Sequence, residues 1–187
     1  PAARPHAAAR GACGTMSTPA PDRPLRILIV AGEASGDVYG AGLMRHLQAG
    51  SPRPLLFRGI GGDAMRDAGL DMLCHCDHTA VIGFWEVLRQ GRFFTRLLRQ
   101  MTGELDTWQP DLLLTIDYPG FNLRLAARAH ARGIRTVHYI CPQVWAWHRS
   151  RVHTIARDID QLITLFPFEP ACFDVTPLRP LYLGHPL

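Results

Sequence analysis

Lysine does not occur anywhere in the 187 residues; all twenty basic side chains are arginine. Together with abundant Ala, Gly and Pro this is the signature of GC-rich coding, so a net charge of +4 gives no reason to expect nucleic acid as a partner. No apolar run approaches the roughly 20 residues that span a bilayer, and the expectation is a chain that is soluble or rests on a membrane surface. Acidic residues are missing from the first fifteen positions, "PAARPHAAARGACGT", and so is the apolar stretch of a secretory signal. Met16 reads as the natural start, and residues 1–24 as a disordered or non-native extension. The five cysteines, at 13, 74, 76, 141 and 172, are odd in number and scattered. That does not suggest a disulfide framework and favours a reducing compartment. "CHCDH", Cys74 to His78, has ligand-type residues, but no second pair nearby completes a four-ligand set, so no metal is expected.

Also missing is either common phosphate-binding template. "VAGEASGDVYGAGLMRHL", Val30 to Leu47, runs from strand-formers through a glycine-containing turn into a helical pattern. Helix N-termini of this kind favour anions. Yet the stretch lacks the lysine of GxxxxGK[ST], and its glycines at 32, 36, 40 and 42 do not space as GxGxxG. It places two carboxylates, Glu33 and Asp37, where a phosphate would prefer none.

What is present is an alternation, with some regularity, of short apolar runs and helical patterns. Strands are predicted at 26–32, 55–61, 111–117, 134–140, 161–166 and 180–184. Helices are predicted at 36–48, 62–68, 84–106, 120–132, 148–157 and 168–174. Near-continuous apolar strands separated by helices imply a parallel sheet covered on both faces. The expected fold is α/β, one Rossmann-like domain over 25–187. The last predicted strand runs into "GHPL" and the sequence stops, which suggests a fragment of a longer chain. In such sheets ligands sit at the carboxyl ends of the strands, so the turns that matter are "GEASGD", "GIGGDAM", "IDYPGFN", "ICPQVWAW" and "FPFEP".

Three segments carry candidate chemistry. In "LLLTIDYPGFNLRLA", Asp117 ends an apolar strand, where a carboxylate can accept a proton from a substrate hydroxyl; the alternative is that it caps the following helix. Asn122 is a second candidate cap. In "HYICPQVWAWHRSR", tryptophans flank Ala146 beside Gln143, His138 and two arginines. Aromatic rings with polar neighbours suit sugar faces and acyl chains, although core packing of one tryptophan explains part of the pattern. In "VIGFWEVLRQGRFFTRLLRQMTGEL", Phe94, Leu98, Met101 and Leu105 form one stripe, and Arg89, Arg92, Arg96 and Arg99 cluster on the opposite side. A basic amphipathic helix with aromatics can lie in a membrane interface; it can equally be a surface helix with a solvated face.

Taken in order, "VAGEASGD", "VIGFWEVL", "IDYPGFN", "HYICPQVWAW", "FPFEP" and "GHPL" resemble lipid-A-disaccharide synthase over about residues 26–187. The resemblance implies the N-terminal, acceptor-facing domain of an inverting glycosyltransferase of the two-domain GT-B type, with the UDP-sugar-binding C-terminal domain absent. It implies transfer of 2,3-diacylglucosamine from its UDP conjugate, UDP-2,3-diacylglucosamine, to 2,3-diacylglucosamine 1-phosphate (lipid X), giving lipid A disaccharide 1-phosphate and UDP. No cofactor or metal is implied. The implied location is cytoplasmic, on the anionic inner face of the cytoplasmic membrane.

Carried over residue by residue, the resemblance makes Asp117 the general base toward the acceptor 6-hydroxyl. Some relatives carry a second acid where this chain has Gly120, which leaves Asp117 as the candidate base of its turn. Glu33, Ser35, Gly36, Asp37, Asn122, Gln143 and Trp145 become candidate acceptor contacts. Val81, Ile82, Phe84, Val87, Leu88, Arg89 and Arg92 become candidates for the acyl chains and the membrane. Another GT-B enzyme acting on UDP-sugars is the nearest rival. A nicotinamide-dependent oxidoreductase is a second, but it would need an acid closing strand two, where Asp63 instead follows two glycines.

Overall fold

Strand β1, Leu25–Ala31, shows why its sequence is apolar throughout: Leu28 and Val30 enter one packed layer, while Ile27, Ile29 and Ala31 enter the other. A strand buried on both faces leaves no position for a polar alternation. The computed structural model describes residues 23–79, 84–145 and 151–184, the side chains of 84–90 excepted. After β1 come α1 (Ala34–Gly50), β2 (Leu55–Gly61), α2 (Asp63–Asp67), β3 (Leu70–His75) and α3 (Phe84–Thr107). They are followed by β4 (Leu112–Ile116), α4 (Pro119–His130), β5 (Arg135–Tyr139), α5 (Arg151–Asp158), β6 (Gln161–Thr164) and β7 (Leu181–Tyr182). Short 3-10 turns lie at Cys76–His78 and Pro170–Phe173.

The seven strands form one sheet in the order β3-β2-β1-β4-β5-β6-β7, and every pairing is parallel. The order reverses between β1 and β4, which makes their carboxyl ends the place where a crevice opens. Met44 of α1 and Met65 of α2 close the layer on one face; Met101 of α3, Leu125 of α4 and Ile155 of α5 close the other. All five are essentially inaccessible to solvent.

The predicted architecture holds, with local corrections. Strand β3 was not predicted. It is an edge strand whose residues after Leu70 are only half-buried or exposed, and "LDMLCH" therefore lacks the apolar continuity of the inner strands. The segment expected as a helix at 168–174 is the 3-10 turn Pro170–Phe173, and β7 is two residues long instead of five. The first residues of the helix expected at 148–157 lie outside the described residues.

Asp37 corrects a site expectation. Its side chain is 7% exposed, and its carboxylate accepts backbone N–H bonds from Gly62 (2.7 Å), Ala64 (3.0 Å) and Met65 (3.0 Å). It is therefore a clamp between α1 and the start of α2, with both oxygens engaged inside the protein. Gly62 is required for the approach, since a Cβ there would stand 2.5 Å from a carboxylate oxygen of Asp37. Removing the acceptor would strand three amide donors in a buried site. Asp37→Ala is expected to cost about 3 kcal/mol in urea unfolding; a loss below about 1 kcal/mol contradicts the clamp.

A second polar group in the core titrates. His138 of β5 is fully buried, with Nδ1 2.7 Å from the Thr115 hydroxyl of β4, and Nε2 has no hydrogen-bond partner among the described residues. Burial pushes the imidazole pKa down to about 4. The unfolded chain, with an ordinary value near 6.5, binds the proton first. Between those values the unfolded state carries more protons, so folding stability falls as pH drops from about 6.5 to 4. The lost stability is about 3 kcal/mol. Unfolding free energies of wild type and His138→Gln, measured from pH 7 to pH 4, are expected to diverge by about that amount; parallel curves would refute the assignment.

Candidate functional site

The chain leaves β4 through two consecutive left-handed residues, Asp117 (φ 47°) and Tyr118 (φ 48°). Ile140, which leaves β5, also has φ 74°. Such conformations cost non-glycine residues about 1–2 kcal/mol each and persist only where the surroundings over-determine them. The surroundings here are specific. The Asp117 N–H donates to the Tyr139 carbonyl at 2.8 Å, and the Ile140 N–H donates to Ile163 at 3.1 Å. The fully buried Asn122 amide donates to the carbonyls of Ile116 (3.2 Å) and Asp117 (2.7 Å). Pro119 then opens α4 with its fixed φ.

This turn sets where the Asp117 side chain goes. Asp117 is half-buried and lines a cleft of about 330 Å³ with Gln143, Arg151, Phe166 and Glu169 among its walls. Among the described residues its carboxylate takes no hydrogen bond or ion pair. The neighbouring acid behaves oppositely. Glu169 is 2% exposed and its carboxylate accepts the N–H groups of Leu165 (3.1 Å) and Phe166 (3.0 Å). It fixes the exit from β6, and its charge adds to burial in pushing the Cys141 thiol pKa far up. One acid of the cleft is structural; the other is left available.

The β1–α1 turn closes against the same region. The Tyr118 ring lies so close over Gly32 that a Cβ there would meet its Cγ at 2.5 Å. Its hydroxyl donates to the Thr79 carbonyl (3.3 Å), while the Thr79 hydroxyl donates to the Gly32 carbonyl (2.7 Å). Burial, with a smaller contribution from the Glu33 charge, pushes the Tyr118 pKa up to about 12. Glu33 itself is exposed at the N-cap of α1 and makes no side-chain capping bond.

The candidate residues therefore separate. Asp117 and Gln143 share one cleft, and Glu33 and Ser35 are exposed on the adjoining turn. Trp145 stands 43% exposed and meets Phe168 edge-on at 5.6 Å. Gly36 is buried against Ala31, and Asn122 holds the strand end, so neither faces a ligand. Asn122 does not cap α4 either: the N-cap is Tyr118, and the amide turns back toward β4. Of the membrane-side candidates, Val81 and Ile82 lie outside the described residues. Phe84, Val87, Leu88 and Arg89 belong to the first turns of α3, whose side chains are likewise outside them, and Arg92 is exposed. Tyr118, Ile140 and Glu169 are missed by the sequence reading. The signals available were the aromatic next to Asp117 and the acid inside "FPFEP".

At the far edge of the sheet, His75, Cys76 and Asp77 bring one donor atom each within 4.8 Å of one another. The Cys76 thiol is held protonated, its pKa raised to about 11 by burial and by the charges of Asp37 and Asp77. A buried thiol among carboxylates is a poor thiolate ligand.

Comparison with known proteins identifies the lineage. The family model for lipid-A-disaccharide synthetase matches residues 27–187. The lipid-A-disaccharide synthase of Trichlorobacter lovleyi is 44% identical over 165 residues, covering 88% of this chain and 43% of the relative. That of Chromohalobacter salexigens is 43% identical over 163 residues, covering 87% and 42%. The chain thus spans less than half the length of these curated relatives. Among solved structures, UDP-GlcNAc 2-epimerase from Neisseria meningitidis, bound to UDP-GlcNAc, aligns with a TM-score of 0.61 at 10% identity, over 86% of this chain and 46% of that one. MurG of Acinetobacter baumannii aligns at 0.55 and 9%, over 88% and 46%. At those identities the likeness is one of fold alone, the Rossmann-like domain of GT-B enzymes. Six motifs in order along the chain, a family model matching residues 27–187 and relatives above 40% identity lead to one statement: the chain belongs to the lipid-A-disaccharide synthase family.

Proposed function

We propose that this chain is the acceptor side of an inverting glycosyltransferase that joins two acylated glucosamines in lipid A synthesis. The observation that carries the proposal is the Asp117 carboxylate, unpaired among the described residues at the carboxyl end of β4 and facing a cleft. The acceptor is 2,3-diacylglucosamine 1-phosphate and the donor is UDP-2,3-diacylglucosamine. The uridine and diphosphate contacts belong to the part of the relatives beyond the matched length.

In this reading the acceptor 6-hydroxyl lies against Asp117. Its oxygen attacks the anomeric carbon of the donor while the carboxylate takes its proton, the bond from that carbon to the UDP oxygen breaks, and UDP leaves with the electron pair. One in-line displacement inverts the anomeric centre, and the proton passes from Asp117 to solvent. Gln143, exposed on the same cleft, offers both a donor and an acceptor to sugar hydroxyls. Arg151 brings positive charge to the cleft where the leaving group gains negative charge. Glu33 and Ser35 hydrogen-bond the acceptor from the β1–α1 turn. In this reading the acidic turn divides its two acids: Asp37 is scaffold, and Glu33 serves the sugar.

General-base catalysis contributes about 10²–10⁴-fold. A coupling assay with both lipid substrates in mixed micelles, on the chain supplemented with the remaining portion of a close relative, tests this. Asp117→Asn is expected to lower turnover about 10³-fold with little change in acceptor KM, and Glu33→Ala to raise that KM. Loss of binding in step with turnover would assign Asp117 to scaffolding instead. The start of α3, with Phe84, Val87, Leu88, Arg89 and Arg92, rests on the anionic inner face of the cytoplasmic membrane in the same reading. Serine at Phe84 and Leu88 is expected to reduce co-sedimentation with phosphatidylglycerol vesicles several-fold; unchanged partitioning would remove the membrane role.

A further inference from the structure

Beside the Asp117 cleft, and separated from it by one turn, runs a larger groove of about 920 Å³ between α3 and α4. The turn serves both: Asp117 and Pro119 line the cleft, Tyr118 and Gly120 line the groove. The groove floor is apolar and aromatic. Phe94, Tyr118 and Phe121 stand in a row with ring centroids 6.2 Å apart at each step, and Leu98 lies alongside. Tyr118 turns its hydroxyl away to Thr79, so it presents ring rather than oxygen.

The rim is basic. Arg99, Arg124 and Arg128 are all exposed on it, and among the described residues none has an acidic partner. The acid on the rim, Asp106, is already held by Nε and Nη2 of Arg132 at 2.7 and 3.1 Å. Three unpaired guanidiniums over an aromatic floor are complementary to an amphiphile with apolar chains and an anionic head. Guanidinium forks match phosphate oxygens. The helices are also open here at a cost to themselves. Gly103 sits inside α3, where glycine is about 1 kcal/mol less favourable than alanine, and a Cβ added to it would meet nothing within 4 Å. Gly120 is equally free. No packing demand explains the absent side chains.

We propose that the α3–α4 groove binds the acyl chains and the phosphate of the acceptor lipid, with the chains over Phe94, Tyr118 and Phe121 and the phosphate on Arg124 and Arg128. This rests on the glycosyltransferase reading, and it places the acceptor's lipid portion on one side of the β4–α4 turn and its reacting hydroxyl on the other.

The test is equilibrium binding to the 187-residue chain, followed by tryptophan fluorescence, with a short-chain monomeric diacylglucosamine 1-phosphate as probe. Chainless glucosamine 1-phosphate, phosphate-free diacylglucosamine and phosphatidylglycerol vesicles run in parallel. The acylated sugar phosphate is expected to bind at least about a hundredfold more tightly than the chainless one. Gly103→Leu, whose Cβ would meet nothing within 4 Å and whose side chain adds bulk to the groove, is expected to weaken it about tenfold or more. Arg124→Ser with Arg128→Ser, on exposed positions that leave folding intact, is expected to weaken it about tenfold while sparing the phosphate-free lipid. Wild-type affinity in both variants overturns the groove assignment. So does a loss confined to phosphatidylglycerol vesicles, which would make the occupant a membrane lipid. The two proposals fail separately. Asp117→Asn that keeps full turnover in the coupling assay removes the catalytic reading, whereas intact binding in the groove variants removes the site and leaves catalysis standing.

Discussion

The turn that leaves β4, and with it the position of Asp117, depends on a buried amide bonding to two carbonyls. Asn122 is completely enclosed, and its amide reaches back from α4 to the last carbonyl of β4, that of Ile116, and to the carbonyl of Asp117 just after it. Without it, two successive left-handed non-glycine residues would relax toward ordinary geometry, since each is held about 1–2 kcal/mol above it. With it, the chain turns sharply enough that Asp117 faces one side and Tyr118 the other. The strain has a consequence by position: it separates a free carboxylate from an aromatic floor within two residues.

The same economy governs the acids. A buried carboxylate is tolerated when backbone donors satisfy it, and both Asp37 and Glu169 are satisfied in that way, by three and by two amide groups. Each locks a strand-to-helix turn whose backbone would otherwise be poorly determined. What remains accessible near the switch point is Asp117 and Glu33. Accessibility, more than identity, marks them: of the four acids at the exits of β1, β4 and β6, Asp37 and Glu169 are consumed by the scaffold. The neutral His138 beneath β4 and β5 belongs to the scaffold as well, since burial keeps its proton off at ordinary pH.

The sheet was legible in the sequence because inner parallel strands are apolar on both faces, as β1 and β4 are. Strand β3 was not, because an edge strand with Asp71 and His75 carries no such continuity. The position of Asp117 was legible from a strand ending in an acid before Pro-Gly. The roles of Asp37 and Asn122 were not, because a polar side chain in a turn reads alike whether it points at a ligand or at a backbone 25 residues away. Gly32 reads in the sequence only as one glycine of a turn that fits no phosphate template. It is room for Tyr118, a contact between turns that lie far apart in the chain and adjacent in the sheet. Local pattern places an element; only the neighbour relation between β1 and β4 decides what a turn residue touches.

That neighbour relation also couples the two openings. Tyr118 packs on Gly32, stands between Phe94 and Phe121, and is the residue after Asp117. A ligand pressing on the groove floor therefore presses on the ring that fixes the turn carrying the carboxylate. Because the turn is strained, it has few alternative conformations to yield into, and interiors packed at this density transmit displacement instead of absorbing it. A lipid whose chains fill the groove would hold Asp117 in place by the contact that holds its own chains. Binding energy gained far from the reacting hydroxyl would then be spent on orientation at the hydroxyl, which is where it lowers a barrier.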